Sequence, residues 1–400
     1  MISADQLQQD RQLIIDWARR IIPIRAISPK SGGRGEKERA DEICRILSEM
    51  GISNFTRYDV EDDTGTVRPN IVVRVGDRPR TLWVVAHIDT VPEGDLGLWT
   101  YPPFAATVEG DRIYGRGTND NGHAVFLSLL LLQHARVGEM RYSLGIAFVS
   151  DEELGSTYGI QHLLKQGVFR KGDIIIVPDA GSESGLQIEV AEKSILWLKF
   201  TVKGKQWHAS MPDNAVNALR EASKLITELD RVLHEKFSAS NTLFQPPVST
   251  FEPTKHEKNV DNINTIPGTE VFYFDCRVLP VYDLDFVLDT VHDVVKEFEA
   301  RSKARVTYEV IQKEQAPPPT PENSEVVKLL REAIRKRLGG EPAVIGIGGG
   351  TCAAFFRKEG MDAAVWGTEV PTTAHRPDEY VVIGHILQDR DVIEEILYGR

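Results

Sequence analysis

The sequence predicts an α/β fold: a mainly parallel sheet with an inserted β-α-β-β-α-β domain. Residues 82–86, 143–149 and 174–177 are continuous apolar runs, as expected of strands covered on both faces in a parallel sheet. Helical patterns such as residues 124–135 separate these runs, and strands alternating with helices imply an α/β sheet. From Ile195 the period changes: Leu196, Leu198, Phe200 and Val202 alternate with Trp197, Lys199 and Thr201, the mark of a half-buried strand.

Taken in order, Ala40, Ile43, Cys44 and Leu47 recur at helical spacing, and Gly51 supplies a C-terminal stop. The first apolar run then ends in His87, the second in Asp151-Glu152-Glu153, and the third in Pro178-Asp179. These polar residues fall just past the carboxyl ends of strands, where open α/β sheets bind ligands. After the strand at Ile195, the spacing predicts a helix over 214–233, strands near 248–251 and 270–279, a helix over 284–300 and a strand over 305–311. That order is the split βαβ sandwich. Ala316-Pro317-Pro318-Pro319-Thr320-Pro321 reads as a stiff linker. Residues 1–194 and 314–400 are therefore assigned to one domain and 195–313 to the insertion.

Composition narrows the function classes. A chain of 400 residues with 41% hydrophobic content can fill a sizeable core. Its 47 basic against 59 acidic residues leave a net charge of −12, with no basic block, so nucleic acid and anionic membranes are poor partners. The longest apolar run, 125–132, is far short of the ~20 residues of a bilayer span. Met1-Ile2-Ser3-Ala4-Asp5-Gln6 has no basic n-region leading into an apolar one. Cys44, Cys276 and Cys352 are odd in number and widely spaced, which makes a disulfide framework improbable. A reducing cytoplasm is the expected location.

Several residues carry candidate chemistry. In an extended strand, residues i and i+2 point the same way, so Asp89 can lie beside His87. Asp120 sits in Gly115-Arg116-Gly117-Thr118-Asn119-Asp120-Asn121-Gly122, ahead of an apolar helix, where an acid often serves only as an N-cap. Asp151, Glu152 and Glu153 repel one another unless cations offset them. Asp179 repeats the strand-end placement, and His375 follows the apolar stretch at Ala363-Ala364-Val365-Trp366. Two histidines and several carboxylates at one sheet edge form an N/O set suited to zinc or another divalent first-row ion. Their number fits two metals, with one carboxylate left as a base. The run Gly346-Ile347-Gly348-Gly349-Gly350-Thr351 mimics a dinucleotide fingerprint, but Thr351 replaces a glycine and too little chain follows it.

Together, His87-Ile88-Asp89-Thr90-Val91-Pro92, the Gly115–Asp120 loop, Glu152-Glu153, Pro178-Asp179 and His375 resemble the signature sites of the M20 metallopeptidase family. That family includes acetylornithine deacetylase, succinyl-diaminopimelate desuccinylase, carboxypeptidase G2 and di- and tripeptidases. The resemblance covers nearly the whole chain. It implies a zinc-hydrolase catalytic domain with a ferredoxin-like insertion serving as lid and dimerisation domain, and hence a homodimer. It further implies two zinc ions per subunit, with cobalt or manganese as substitutes. Asp120 would bridge them, Glu153 and His375 would hold one, and His87 and Asp179 the other. Asp89 would orient His87, and Glu152 would be the general base.

Gly204-Lys205-Gln206-Trp207-His208 resembles the family's glycine-to-histidine motif, which gives His208 the oxyanion role in the partner subunit's site. Asn264 and Arg277 match substrate-holding segments, Arg277 as a carboxylate clamp, and Gly349, Gly350 and Thr351 match a loop near the substrate carboxylate. The chain departs from the family pattern in two places. Gly122 stands where many members carry lysine. The fourth ligand would be Asp179, where the better-known deacylases and carboxypeptidase G2 carry glutamate; within the family, aspartate at this position goes with peptidases acting on free-amino substrates. A small-peptide exo- or dipeptidase is therefore expected, with deacylation of N-acyl amino acids as the alternative. A silent binding protein on the same fold is disfavoured by the intact Glu152 and ligand set.

Overall fold

The computed structural model describes residues 3–399. The chain forms two compact units. One comprises residues up to Val190, Pro319–Ile345 and the segment from Thr351 onward; the other comprises Ala191–Pro318 with Gly346–Gly350.

The first unit is built around an eight-stranded sheet. Its order is Phe55–Arg57, Ile71–Val75, Ser143–Val149, Thr81–His87, Ile174–Val177, Ala363–Val365, Gln187–Glu192, Ala343–Ile347. The four strands from Ser143–Val149 to Ala363–Val365 pair in parallel. Antiparallel pairing flanks them, at Ile71–Val75 and at Gln187–Glu192. Thr81–His87 and Ser143–Val149 are buried at every position, which explains the apolar residues of their interiors. Gly145 leaves room for the neighbouring indole: a Cβ there would lie 2.4 Å from the Trp83 ring. That ring donates through Nε1 to Asp173 at 2.9 Å. Helix Gly122–Gln133 is buried from Gly122 to Leu132. It packs against strand Thr81–His87 and helices Ala4–Ile21 and Ile383–Tyr398, so it needs apolar residues all round.

The second unit has a four-stranded antiparallel sheet in the order Thr250–His256, Thr269–Val278, Ser194–Lys203, Arg305–Glu314. Helices Ala218–Lys236 and Leu284–Arg301 pack against it. Leu196, Leu198, Phe200 and Val202 point into the core with Phe272 and Phe274, and the Phe200 and Phe272 rings stack at 4.9 Å. The first of these helices begins later than its apolar spacing predicts. Pro212–Asn214 forms a separate 3₁₀ turn, and the Asn217 side chain caps the helix by accepting from the Arg220 N–H at 3.1 Å. Strand Arg305–Glu314 runs past the expected residue 311 because Leu196 and Trp197 pair with Lys313 and Gln312. The proline-rich segment is tied at Thr320, which is buried. Its N–H bonds to Val190 O at 2.9 Å, and its hydroxyl donates to Ala363 O at 2.6 Å. All three cysteines are free. Among the described residues, no helix is long and apolar enough to cross a membrane.

Candidate metal centre

Five segments of the first unit converge at the carboxyl edge of the parallel strands. His87 is the last residue of its strand and is buried. Asp120 lies on the glycine-rich loop, and its peptide bond to Asn121 is cis. Asn121, not Asp120, occupies the N-cap position of helix Gly122–Gln133 and makes no side-chain cap bond, so the capping role is excluded for Asp120. Glu152 and Glu153 open a 3₁₀ turn after Ser143–Val149. Asp179 follows Ile174–Val177, and His375 sits on a loop with φ 61°.

The two oxygens of Asp120 face different histidines. Oδ1 is 2.8 Å from His87 Nε2, and Oδ2 is 2.9 Å from His375 Nε2. On the His375 side, Glu153 Oε2 lies 3.0 Å from the same ring nitrogen. On the His87 side, Asp179 Oδ1 lies 3.5 Å from Nε2. Ligand atoms of His87, Asp120 and Glu153 fall within 4.8 Å of one another, as do those of His87, Glu152 and Asp179. Imidazole nitrogens with carboxylate oxygens match the preference of divalent first-row ions, so this donor set fits a metal centre.

Asp89 ties the site together from behind. Its Oδ1 lies 3.3 Å from His87 Nδ1, while Oδ1 and Oδ2 accept the N–H groups of Glu152 and Glu153, each at 3.1 Å. One carboxylate thus fixes both a ring and the acidic turn. Asp151 does not crowd Glu152, because its carboxylate faces Arg68 at 3.2 Å. This is the offsetting cation that three consecutive acids require.

The charges reinforce one another. Burial, aided by Asp179, pushes the Glu152 carboxyl well above the ordinary range. Burial and then Asp120 raise Glu153 to about 7. Burial alone would lower His87, yet its contacts with Asp120, Asp179 and Asp89 outweigh it and raise the ring well above its usual value. Asp120 and then Glu153 raise His375 to about 10. A divalent ion must displace these retained protons, so affinity should fall as pH drops. Cobalt titrations at pH 8 and pH 6 should give a dissociation constant at least about tenfold weaker at pH 6. An affinity independent of pH would mean that these groups carry no protons in the metal-free protein.

Several contributors lay outside the sequence reading. Glu379 is buried, and its Oε1 accepts the N–H groups of Asn119 and Asp120 at 3.0 and 3.1 Å while Oε2 takes Arg116 Nη1 at 2.5 Å. Arg116 lies 5.3 Å over the Trp99 ring. Asn121 Nδ2 donates to Asp179 Oδ1 at 3.1 Å and to Pro178 O at 2.7 Å. The only sequence signal for Glu379 is an acid adjoining the short strand Tyr380–Val382, which no spacing rule distinguishes from a turn residue.

The other expected site residues fall in the second unit, except Thr351 in the first. In the second unit, Trp207–His208 pairs with Thr265–Ile266, bringing the His208 ring 3.4 Å from the Asn264 side-chain amide. His208 Nδ1 accepts from the Ser210 N–H at 3.2 Å. The Arg277 fork is engaged with Asp275 at 2.7 and 3.1 Å, and its remaining nitrogen donates to Gly348 O at 3.0 Å. A Cβ on Gly349 would meet nothing within 4 Å, and one on Gly350 only Ile195 Cδ1 at 3.9 Å. In the first unit, Thr351 is buried, and its hydroxyl accepts from the Ala353 N–H at 3.1 Å.

Comparison with known proteins agrees with this chemistry. An uncharacterized metallohydrolase of Methanocaldococcus jannaschii is 42% identical over 94% of this chain and 97% of its own length. A succinyl-diaminopimelate desuccinylase of Ehrlichia ruminantium is 26% identical over 89% of this chain and 90% of its own. The M20 family metallo-carboxypeptidase of Sulfolobus solfataricus superimposes with a TM-score of 0.74 at 20% identity, covering 97% of this chain and 98% of that one. The model of peptidase family M20/M25/M40 matches residues 83–398. The chain therefore belongs to peptidase family M20/M25/M40 and is a metal-dependent hydrolase.

Proposed function

We propose that the protein is a two-metal amidohydrolase that cleaves a small peptide, acting as an exo- or dipeptidase. The observation that carries this reading is Asp120, whose two oxygens approach His87 and His375 separately, with Glu152 close by. Asp120 would contribute to both metal positions, with Glu153 and His375 completing one and His87 and Asp179 the other. Bound there, a pair of zinc ions, or cobalt or manganese, supplies Lewis acidity toward the scissile carbonyl and lowers the pKa of water. Glu152 takes the proton released as water attacks and delivers it to the departing nitrogen. Its half-buried, proton-retaining environment supports that role. Asp89 keeps the His87 ring and the Glu152–Glu153 turn in place.

The remaining assignments rest on the family resemblance. His208 would steady the oxyanion in a homodimer, and Asn264, Arg277, Gly349, Gly350 and Thr351 would hold the substrate. The fork of Arg277 must then exchange Asp275 for a substrate carboxylate. A cytoplasmic location belongs to the same reading.

Asp179 favours peptides with free amino groups, whereas the desuccinylase relative favours N-acyl amino acids. The test is hydrolysis by zinc- and cobalt-loaded protein of dipeptides, tripeptides, and acetyl, succinyl and glutamyl amino acids. Turnover of free-amino peptides is expected. Turnover of acylated amino acids alone would assign the protein to the deacylases, and silence across the panel with two metals bound would favour a binding protein.

A further inference from the structure

Arg68 belongs to none of the five metal-site segments, yet it is fully buried. Its guanidinium meets three carboxylates: Glu36 at 2.8 and 2.5 Å, Asp62 at 3.2 Å and Asp151 at 3.2 Å. Asp151 is the residue immediately before Glu152. It has φ 66° and ψ 21°, a left-handed conformation uncommon outside glycine, asparagine and aspartate, and it is held here by its surroundings. Those surroundings are visible on all sides. One carboxylate oxygen faces Arg68, the other accepts the Tyr158 N–H at 3.1 Å, and the carbonyl accepts the Ser156 N–H at 2.6 Å. The turn that follows therefore leaves its strand in a direction set by Asp151. Asp89 receives that turn through the N–H groups of Glu152 and Glu153.

We propose that Arg68 is a positioning residue for the metal centre, acting through Asp151 to aim the turn that carries Glu152 and Glu153. The proposal rests on the hydrolase reading above for its effect on turnover, but its effect on metal binding stands independently. Glu36 and Asp62 share the same guanidinium without touching the turn, so the cluster contains its own control. A residue that only supported the fold would act alike through all of its partners.

The test compares Asp151→Asn with Asp62→Asn, each folded as judged by circular dichroism. Cobalt affinity is read from visible absorption, kcat and KM are measured at saturating cobalt, and Tm is recorded. Asp151→Asn should weaken cobalt binding or lower kcat by about 10–100-fold, the usual effect of losing a partner behind a metal ligand, with KM within about threefold. Asp62→Asn should lower Tm while affinity and kcat stay within about twofold of the parent. Equal effects in the two variants, or Asp151→Asn losing Tm alone, would overturn the proposal. A parent protein silent on every substrate would count against the proposed function, and the cobalt affinities would still decide whether the Asp151 contact, through which Arg68 is proposed to act, serves the metal centre.

Discussion

Replacing Glu152 with glutamine should lower kcat by about 10²–10⁴-fold, the usual contribution of a general base, while leaving the metal content at the parent level. On the transition-state scale that loss corresponds to roughly 3–5 kcal/mol. The substitution preserves size and removes the proton acceptor. It also separates two roles that the geometry places close together, because Glu152 shares a possible ligand group with His87 and Asp179. If Glu152 is the base, metal analysis of the dialysed variant matches the parent and only turnover falls. Loss of one metal equivalent along with activity would make Glu152 a ligand and leave the base unassigned. The half-buried side chain is held above the ordinary carboxylate range by its surroundings, so it is suited to accepting a proton near neutrality.

The second large effect is expected at Glu379, and it should appear first in stability. Glu379→Ala strands the Arg116 cation, which is 2% exposed on its side chain, and leaves the N–H groups of Asn119 and Asp120 without their acceptor. Removing one partner of a buried ion pair typically costs about 3–5 kcal/mol. For a protein of this size, that should move Tm downward by several degrees, on the order of 1 °C per kcal/mol. Because the same carboxylate fixes the backbone at Asp120, metal affinity should fall as well. Differential scanning calorimetry with and without added cobalt tests both effects. A variant with unchanged Tm would show that Arg116 finds another partner and that the loop does not depend on Glu379.

Much of this was legible in the sequence because the relevant signals are local. Strand interiors such as Ser143–Val149 declare themselves by their apolar composition, and His87, Glu152, Glu153 and Asp179 stand at or just past the ends of such runs, whereas the grouping with Asp120 and His375 came from the family resemblance. The split βαβ order was likewise readable from the succession of strand-like and helical spacings that follows the alternation at Leu196, Leu198 and Phe200. What escaped detection was long-range. Glu379 acts on the backbone of Asp120, 259 positions away, and Arg68 meets Glu36 across 32. No periodicity encodes such pairings. The helix start at Ala218 was misplaced because Pro212–Asn214 already turns helically, and only the Asn217 cap marks the true beginning.

The bond between Thr320 N–H and Val190 O closes the base of everything the chain inserts between them. To the first unit, the whole inserted segment amounts to a loop whose two ends already meet. The entropy of holding such ends together grows only logarithmically with the length between them. Lengthening or shortening the inserted segment should therefore change the entropy of closing its base only slightly.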